Sequence, residues 1–152
     1  MQVTKKNMIE SQLKPEGISC SKAIDCISRV NREDFVPNKY KASSYAEYDI
    51  PLANNYSMLR PVISAKILQL LKINKNDKIL EIGTGTGYLS CCLSMMGKTL
   101  DTVDIDKDIQ SKAKESHGLY NLYNINYINE DVFSIWTPQK KYDVIVFTGS
   151  VD

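Results

Sequence analysis

The chain has 152 residues, 43% of them apolar and 24% charged, with 19 basic residues set against 18 acidic ones for a net charge of +1. That length suits a single structural unit with a core of its own, and the balanced charge, with no Lys/Arg stripe, leaves no footprint for nucleic acid. No apolar run approaches the roughly 20 residues that a membrane span needs, and the polar start, Met1 to Asn7, does not read as a signal peptide, so a soluble, cytoplasmic protein without a membrane partner is expected.

In chain order, Lys5 to Lys14 predicts a short amphipathic helix stopped by Pro15-Glu16-Gly17. Ser19 or Ser21 is placed to cap a second helix, with Ala23, Ile24, Ile27 and Val30 on one stripe and Phe35-Val36-Pro37 breaking it. From Asn38 to Arg60 the chain reads as irregular, rich in tyrosine, serine and asparagine, with Asp49-Ile50-Pro51-Leu52 in its middle. A connection this long is usually functional or disordered, and its aromatics favour an ordered, ligand-facing segment. Pro61 opens a strongly periodic helix carrying Val62, Ile63, Ala65, Ile67, Leu68, Leu70 and Leu71, since proline costs nothing in a first turn. Asn74 to Asp77 is the turn that follows.

The centre of the chain is its most informative part. Lys78 to Ile82 is a β-branched and apolar run that drives into Gly83-Thr84-Gly85-Thr86-Gly87, and a second apolar segment from Tyr88 to Met96 ends at Gly97. That pattern predicts strand, glycine turn, helix. Glycine there permits positive φ and close approach of a ligand, while the open N–H groups of the helix start face whatever is bound. A dinucleotide fingerprint would require glycine at position 88, where Tyr88 stands.

Leu100 to Ile105 reads as a second strand with Asp104 near its end, and an acid at that place can accept both ribose hydroxyls of a nucleoside. Lys107 to Lys114 predicts an exposed helix with Ile109 and Ala113 inward. Asn126 to Ile128 begins a third strand, after which Asp131 is placed to meet an adenine edge, and Tyr142 to Phe147 makes a fourth. Strands alternating with helices imply an α/β fold with a parallel, doubly wound sheet. Val144-Ile145-Val146-Phe147 is apolar on both faces, and a sheet of this type normally continues past it. Left as an edge, that strand would invite self-association. The cysteines, at 20, 26, 91 and 92, include no Cys-x-x-Cys pair, so neither a metal site nor a redox pair is expected. His117, in Ser116-His117-Gly118, reads as a solvated surface residue.

The glycine loop looks like that of S-adenosylmethionine-dependent methyltransferases. Asn7-Met8-Ile9-Glu10-Ser11-Gln12-Leu13, Val30-Asn31-Arg32-Glu33-Asp34-Phe35-Val36-Pro37, the stretch from Tyr45 to Leu52 and the loop itself together resemble protein-L-isoaspartate O-methyltransferases. The opening segment most resembles a bacterial subgroup. The resemblance implies a Rossmann-like methyltransferase fold, incomplete after the fourth strand, with N-terminal helices and a substrate-side loop over residues 1–60 and the cofactor-binding part over 61–152, forming one structural unit. It implies S-adenosyl-L-methionine as cofactor and methyl transfer to the side carboxylate of isoaspartyl residues in damaged proteins or peptides. On this reading Gly83, Thr84, Gly85 and Gly87 shape the cofactor pocket, Asp104 and Ile105 hold the ribose end, Asp131 and Val132 meet the adenine, and Thr148-Gly149 faces the methyl. Glu81 supports the loop from the strand end, or is a solvated or N–H-capping carboxylate.

One segment departs from the family. Where its members read Gln-Thr-Ile-Ser-x-Pro, this chain reads Tyr56-Ser57-Met58-Leu59-Arg60-Pro61, so Leu59 stands where the serine near the reacting carboxylate would be. Ser57 and Arg60 are the candidate catalytic residues that remain; Arg60 either pairs with the substrate carboxylate or is a surface arginine at a helix start. A different acceptor, or a non-catalytic cofactor-binding remnant, are the alternatives.

Overall fold

The computed structural model describes residues 4–134 and 136–149, and the chain falls into two compact units, Met1–Lys72 and Ile73–Asp152. In the first, α1 (Lys5–Met8) runs into a π-helical turn over Ile9–Leu13, burying Met8, Ile9 and Leu13. The second helix, α2 (Ser21–Arg29), has Cys20 at its N-cap with no side-chain cap, so neither Ser19 nor Ser21 plays the expected part. Gln69 does it from a distance: its Oε1 accepts the amides of Ser19 and Cys20 at 2.8 and 2.9 Å, and its Nε2 donates to the Gly17 carbonyl at 3.1 Å. Ala23, Ile27 and Val30 are buried as the stripe predicts. α2 ends before Phe35-Val36-Pro37, because Arg32–Phe35 forms its own 3-10 turn.

The segment expected to be irregular holds a 3-10 turn, Asn38–Ser43, and a small antiparallel pair, β1 (Ile50–Pro51) with β2 (Ser57–Met58), in which Ile50 faces Met58. Asn54 and Asn55 make the reversal with φ of 58° and 61°, a conformation asparagine tolerates better than most residues. Strands of two residues are too short to show as alternation in a sequence. α3 (Pro61–Leu70) starts at the predicted proline and turns Pro61, Val62, Ala65 and Leu68 inward. Its apolar face is narrower than its sequence, for Ile63 and Leu70 are exposed. α3 packs on α2 and the π-helical turn, within the first unit.

The second unit is a four-stranded parallel sheet: β3 (Lys78–Ile82), β4 (Thr99–Asp104), β5 (Ile125–Asn129) and β6 (Val144–Phe147), in the order β5-β4-β3-β6. α4 (Tyr88–Met96) links β3 to β4, and α5 (Lys107–His117) links β4 to β5, running three residues past the expected end. The chain lays β4 and β5 to one side of β3 and then returns to place β6 on the other. The carboxyl ends of β3 and β6 therefore meet at the point where strand order reverses, the place where open sheets of this type receive ligands. Among the described residues β6 is an edge, with Val146 buried and Ile145 and Phe147 exposed.

Candidate cofactor loop and acceptor segment

The loop leaves β3 with three left-handed glycines, at φ of 100° for Gly83, 54° for Gly85 and 87° for Gly87, and their surroundings differ. A Cβ on Gly83 would lie 2.8 Å from the Gly149 amide nitrogen and 3.1 Å from Thr148 Oγ1. A Cβ on Gly87 would lie 2.7 Å from both Ala113 Cβ and His117 Nε2 on α5. Only at Gly85 is there open space, with nothing within 4 Å. The outer two glycines thus answer to the protein's own packing, and the middle one leaves a face on which another molecule can lie.

Asp104, at the end of β4, is joined to that middle glycine: its Oδ2 accepts the Gly85 amide at 3.1 Å, while Oδ1 accepts the Asp106 amide at 2.9 Å. It remains half-buried, and a carboxylate has lone pairs for two hydroxyls besides. Ile105 follows it, 63% exposed. Beyond β5, Asp131 and Val132 are half-buried, and the Asp131 carboxylate accepts the Phe133 amide at 2.9 Å, closing its own turn. Thr148 closes the switch point by donating from Oγ1 to the Gly83 carbonyl at 2.9 Å.

Glu81 is neither solvated nor bound to a loop amide. It is wholly buried and accepts on Oε1 from Ser90 of α4 and, at 2.6 Å, from Thr102 of β4, leaving Oε2 buried with no hydrogen-bond partner. Burial pushes its carboxyl up to about 7, aided by the negative Asp104 and opposed by the two hydroxyl donors. Its support of the loop is indirect. Thr102 Oγ1 lies 2.8 Å from Thr84 Oγ1, and Gln110 of α5 donates from Nε2 to Thr84 Oγ1, to the Thr102 carbonyl and to the Ile128 carbonyl, at 3.0–3.2 Å. One buried network so ties Thr84 to β3, β4, β5, α4 and α5.

In the first unit, Ser57 is exposed on β2 and Leu59 half-buried after it. Arg60 is held by Asp49: the carboxylate accepts Nε at 3.1 Å, Nη2 at 3.4 Å and the Arg60 amide at 2.9 Å. The Arg60 side-chain bond is the chief reason the Asp49 carboxyl lies below the usual range. A substrate carboxylate would have to share this guanidinium with Asp49. Glu47 accepts the Val62 amide at the start of α3, 3.1 Å from Oε2, the place where the helix dipole favours an anion.

Several residues that carry this geometry have no such role in the sequence analysis. Arg32 is fully buried and donates from Nε to the Ser44 carbonyl at 2.7 Å and from Nη2 to the Leu59 carbonyl at 3.0 Å. It thereby pins both ends of the 44–59 segment, so the first residue of the Arg-Glu-x-Phe-Val-Pro stretch is structural. Asn129 donates from Nδ2 to the carbonyls of Asp104 (2.8 Å) and Ile105 (3.2 Å), steadying the acid from the neighbouring strand. His117, expected at the surface, is buried at the end of α5, against Gly87 and Tyr127. Its signal in the sequence was phase: it lies four residues beyond Ala113, on the face that packs inward. All four cysteines are thiols outside any disulfide, and no metal-binding cluster exists among the described residues; no helix among them is long and apolar enough to cross a membrane.

Known proteins resemble this chain in sequence and in fold. A protein from Gloeobacter violaceus named protein-L-isoaspartate O-methyltransferase is 27% identical over 94% of this chain and 70% of its own length. One of the same name from Dictyoglomus turgidum is 30% identical over 96% of this chain and 66% of its own. The solved structure of a Plasmodium falciparum protein described as a protein-L-isoaspartate O-methyltransferase, in complex with S-adenosyl-L-homocysteine, superposes with a TM-score of 0.78 at 15% identity, over 94% of this chain and 72% of that one. The chain thus spans about two thirds of the length of the two curated relatives. The family profile for protein-L-isoaspartate(D-aspartate) O-methyltransferases matches residues 3–152, and the chain belongs to that family.

Proposed function

We propose that this chain binds S-adenosyl-L-methionine and transfers its methyl group to the side carboxylate of isoaspartyl residues in damaged proteins or peptides. The observation that carries the reading is the junction of Asp104 with the Gly85 amide, beside the one glycine of the loop with open space around it. These residues fit a nucleoside-bearing ligand: Asp104 would take the ribose hydroxyls with Ile105 against the base, Asp131 and Val132 would meet the adenine, and Thr148 would border the reacting end beside Gly83. The cofactor, when bound, supplies a methyl group on a positively charged sulfur. A carboxylate acceptor is already ionised at neutral pH, so the protein has no proton to remove and its task is alignment. Gly83 and Gly87 hold the loop's path, Glu81 and Thr84 anchor it, and Arg60 and Ser57 would receive the acceptor.

A second reading, the same cofactor half with a different acceptor, is favoured by Leu59 in the serine's place and by Asp49 on the Arg60 guanidinium. Four cysteines outside any disulfide fit the reducing cytoplasm as the place of action. The exposed Ile145 and Phe147 on β6 support self-association along that edge, which light scattering over a concentration series tests; a monomer throughout removes it. Equilibrium dialysis against labelled S-adenosylmethionine, with S-adenosylhomocysteine as competitor, tests the cofactor reading. Competed, saturable binding is expected, and a folded sample that binds nothing overturns it. Methyl transfer to an isoaspartyl peptide but not to its aspartyl twin then separates the two acceptor readings.

A further inference from the structure

His117 is the chain's one histidine, it stands outside the short motifs that carry the family resemblance, and it is 3% exposed. Its Nε2 lies 2.7 Å from the carbonyl oxygen of Gly87 and its Nδ1 lies 2.6 Å from the Tyr127 hydroxyl. A carbonyl only accepts, so Nε2 carries the hydrogen; in the neutral ring Nδ1 must then accept, and Tyr127 donates. The result is a directed chain, Tyr127 O–H to Nδ1 and Nε2–H to Gly87 C=O, running from β5 through the end of α5 to the last glycine of the loop. The same Gly87 oxygen accepts the Cys91 amide at 2.9 Å as the first turn of α4 closes. Ala113 and His117 press on Gly87 so closely that no Cβ fits.

We propose that His117 is a positioning residue for the cofactor loop, setting the place of Gly87 and the first turn of α4 through its Nε2–H, with Tyr127 fixing the ring. The proposal rests on the cofactor reading of the loop but adds a residue to it, on the side away from β6. The groups around the imidazole favour its neutral form. Burial pushes the ring below its ordinary range against the pull of the Gly87 carbonyl. From α4, Cys91 bears on Tyr127 and the positive end of the helix dipole opposes a cation. From α5, the Lys114 ammonium lies 5.4 Å from the centre of the Tyr127 ring. From β5 comes Tyr127 itself, whose hydroxyl burial pushes up to about 12.

Three variants of the whole chain test this: His117→Leu, which removes donor and acceptor; His117→Gln, which keeps one of each without titrating; and Tyr127→Phe, which removes only the outer hydroxyl. The readouts are S-adenosylhomocysteine affinity by calorimetry, amide exchange at residues 86–92, and the imidazole tautomer from nitrogen shifts. The proposal expects an Nε2–H ring in the parent, affinity about tenfold weaker with faster exchange at 86–92 in His117→Leu, and recovery of most of both losses in His117→Gln, as one well-placed hydrogen bond would provide. Tyr127→Phe should lie between. An Nδ1–H ring, or exchange at 86–92 unchanged in a folded His117→Leu, overturns the proposal. If the parent binds no S-adenosylhomocysteine yet His117→Leu speeds exchange at 86–92 and His117→Gln restores it, the cofactor reading fails and the positioning of Gly87 stands.

Discussion

The two units hold their functional segments by different means. In the first, charged and amide side chains reach across to the main chain: Arg32 to the carbonyls of Ser44 and Leu59, Gln69 to the turn before α2, Glu47 to the start of α3. In the second, the glycine loop is held by the Asp104 carboxylate on the Gly85 amide, by hydroxyl, amide and imidazole contacts and by the absence of room, with the Glu81 carboxyl buried at its root. Main-chain capture leaves the side chains of the captured segment free to vary, so Leu59 can replace a serine while its carbonyl stays in place. Steric capture leaves no such freedom, so Gly87 cannot change although no ligand need touch it.

The largest effect should come from Arg32→Met, which keeps the volume and deletes two charge-assisted bonds inside the first unit. A loss of about 3 kcal/mol or more is expected in chemical denaturation, far above a surface arginine. Next is Gly87→Ala, where left-handed strain and the clash with α5 together should cost about 2–3 kcal/mol. Gly85→Ala, with the same strain class but open space, should cost only about 1 kcal/mol and yet abolish S-adenosylhomocysteine binding. If the two alanines prove equal in stability, the distinction between packing and ligand-facing glycines fails.

The ionisable root of the loop makes a pH-dependent contrast. Glu81 folds with its carboxyl raised from 4.5 to about 7, so its contribution is whole below about pH 4.5 and is lost as pH climbs through 7. Glu81→Gln should therefore gain on the order of 2 kcal/mol over the parent at pH 8 and little at pH 5. His117 acts at the other end: burial lowers it from 6.5, so the folded state is penalised as pH falls below about 6.5, and His117→Gln should flatten that acid limb in thermal scans. Smallest in stability is Arg60→Ala, since the pair with Asp49 is exposed at 47% and 41% and such pairs contribute little. Its thermal midpoint should match the parent's, while methyl transfer to an isoaspartyl peptide falls; unchanged transfer removes Arg60 from the acceptor site.

How far the sequence could be read depended on the range of each interaction. β3, the loop and α4 were legible to the residue because periodicity, glycine spacing and the stop at Gly97 all lie within one continuous stretch. Asp104 was legible because its place follows from the next strand. What escaped were partners brought together from afar: Gln69 standing in for a serine cap 50 residues away, Arg32 reaching Leu59, and His117, whose neighbours on Gly87 and β5 no local pattern reveals. The hairpin of β1 and β2 escaped for the opposite reason, being too short to carry a pattern.

Cys91 and Cys92 stand on α4 where its first turn closes, both thiols outside any disulfide and both fully buried, whereas Cys20 in the other unit is partly exposed. The chain therefore carries its own clock. A thiol reagent should mark Cys20 at once, and mark the adjacent pair only as often as α4 lifts from the sheet. The slow labelling rate would count openings of the helix that the loop feeds, and anything that settles on the loop and tightens that helix would be heard as the clock slowing.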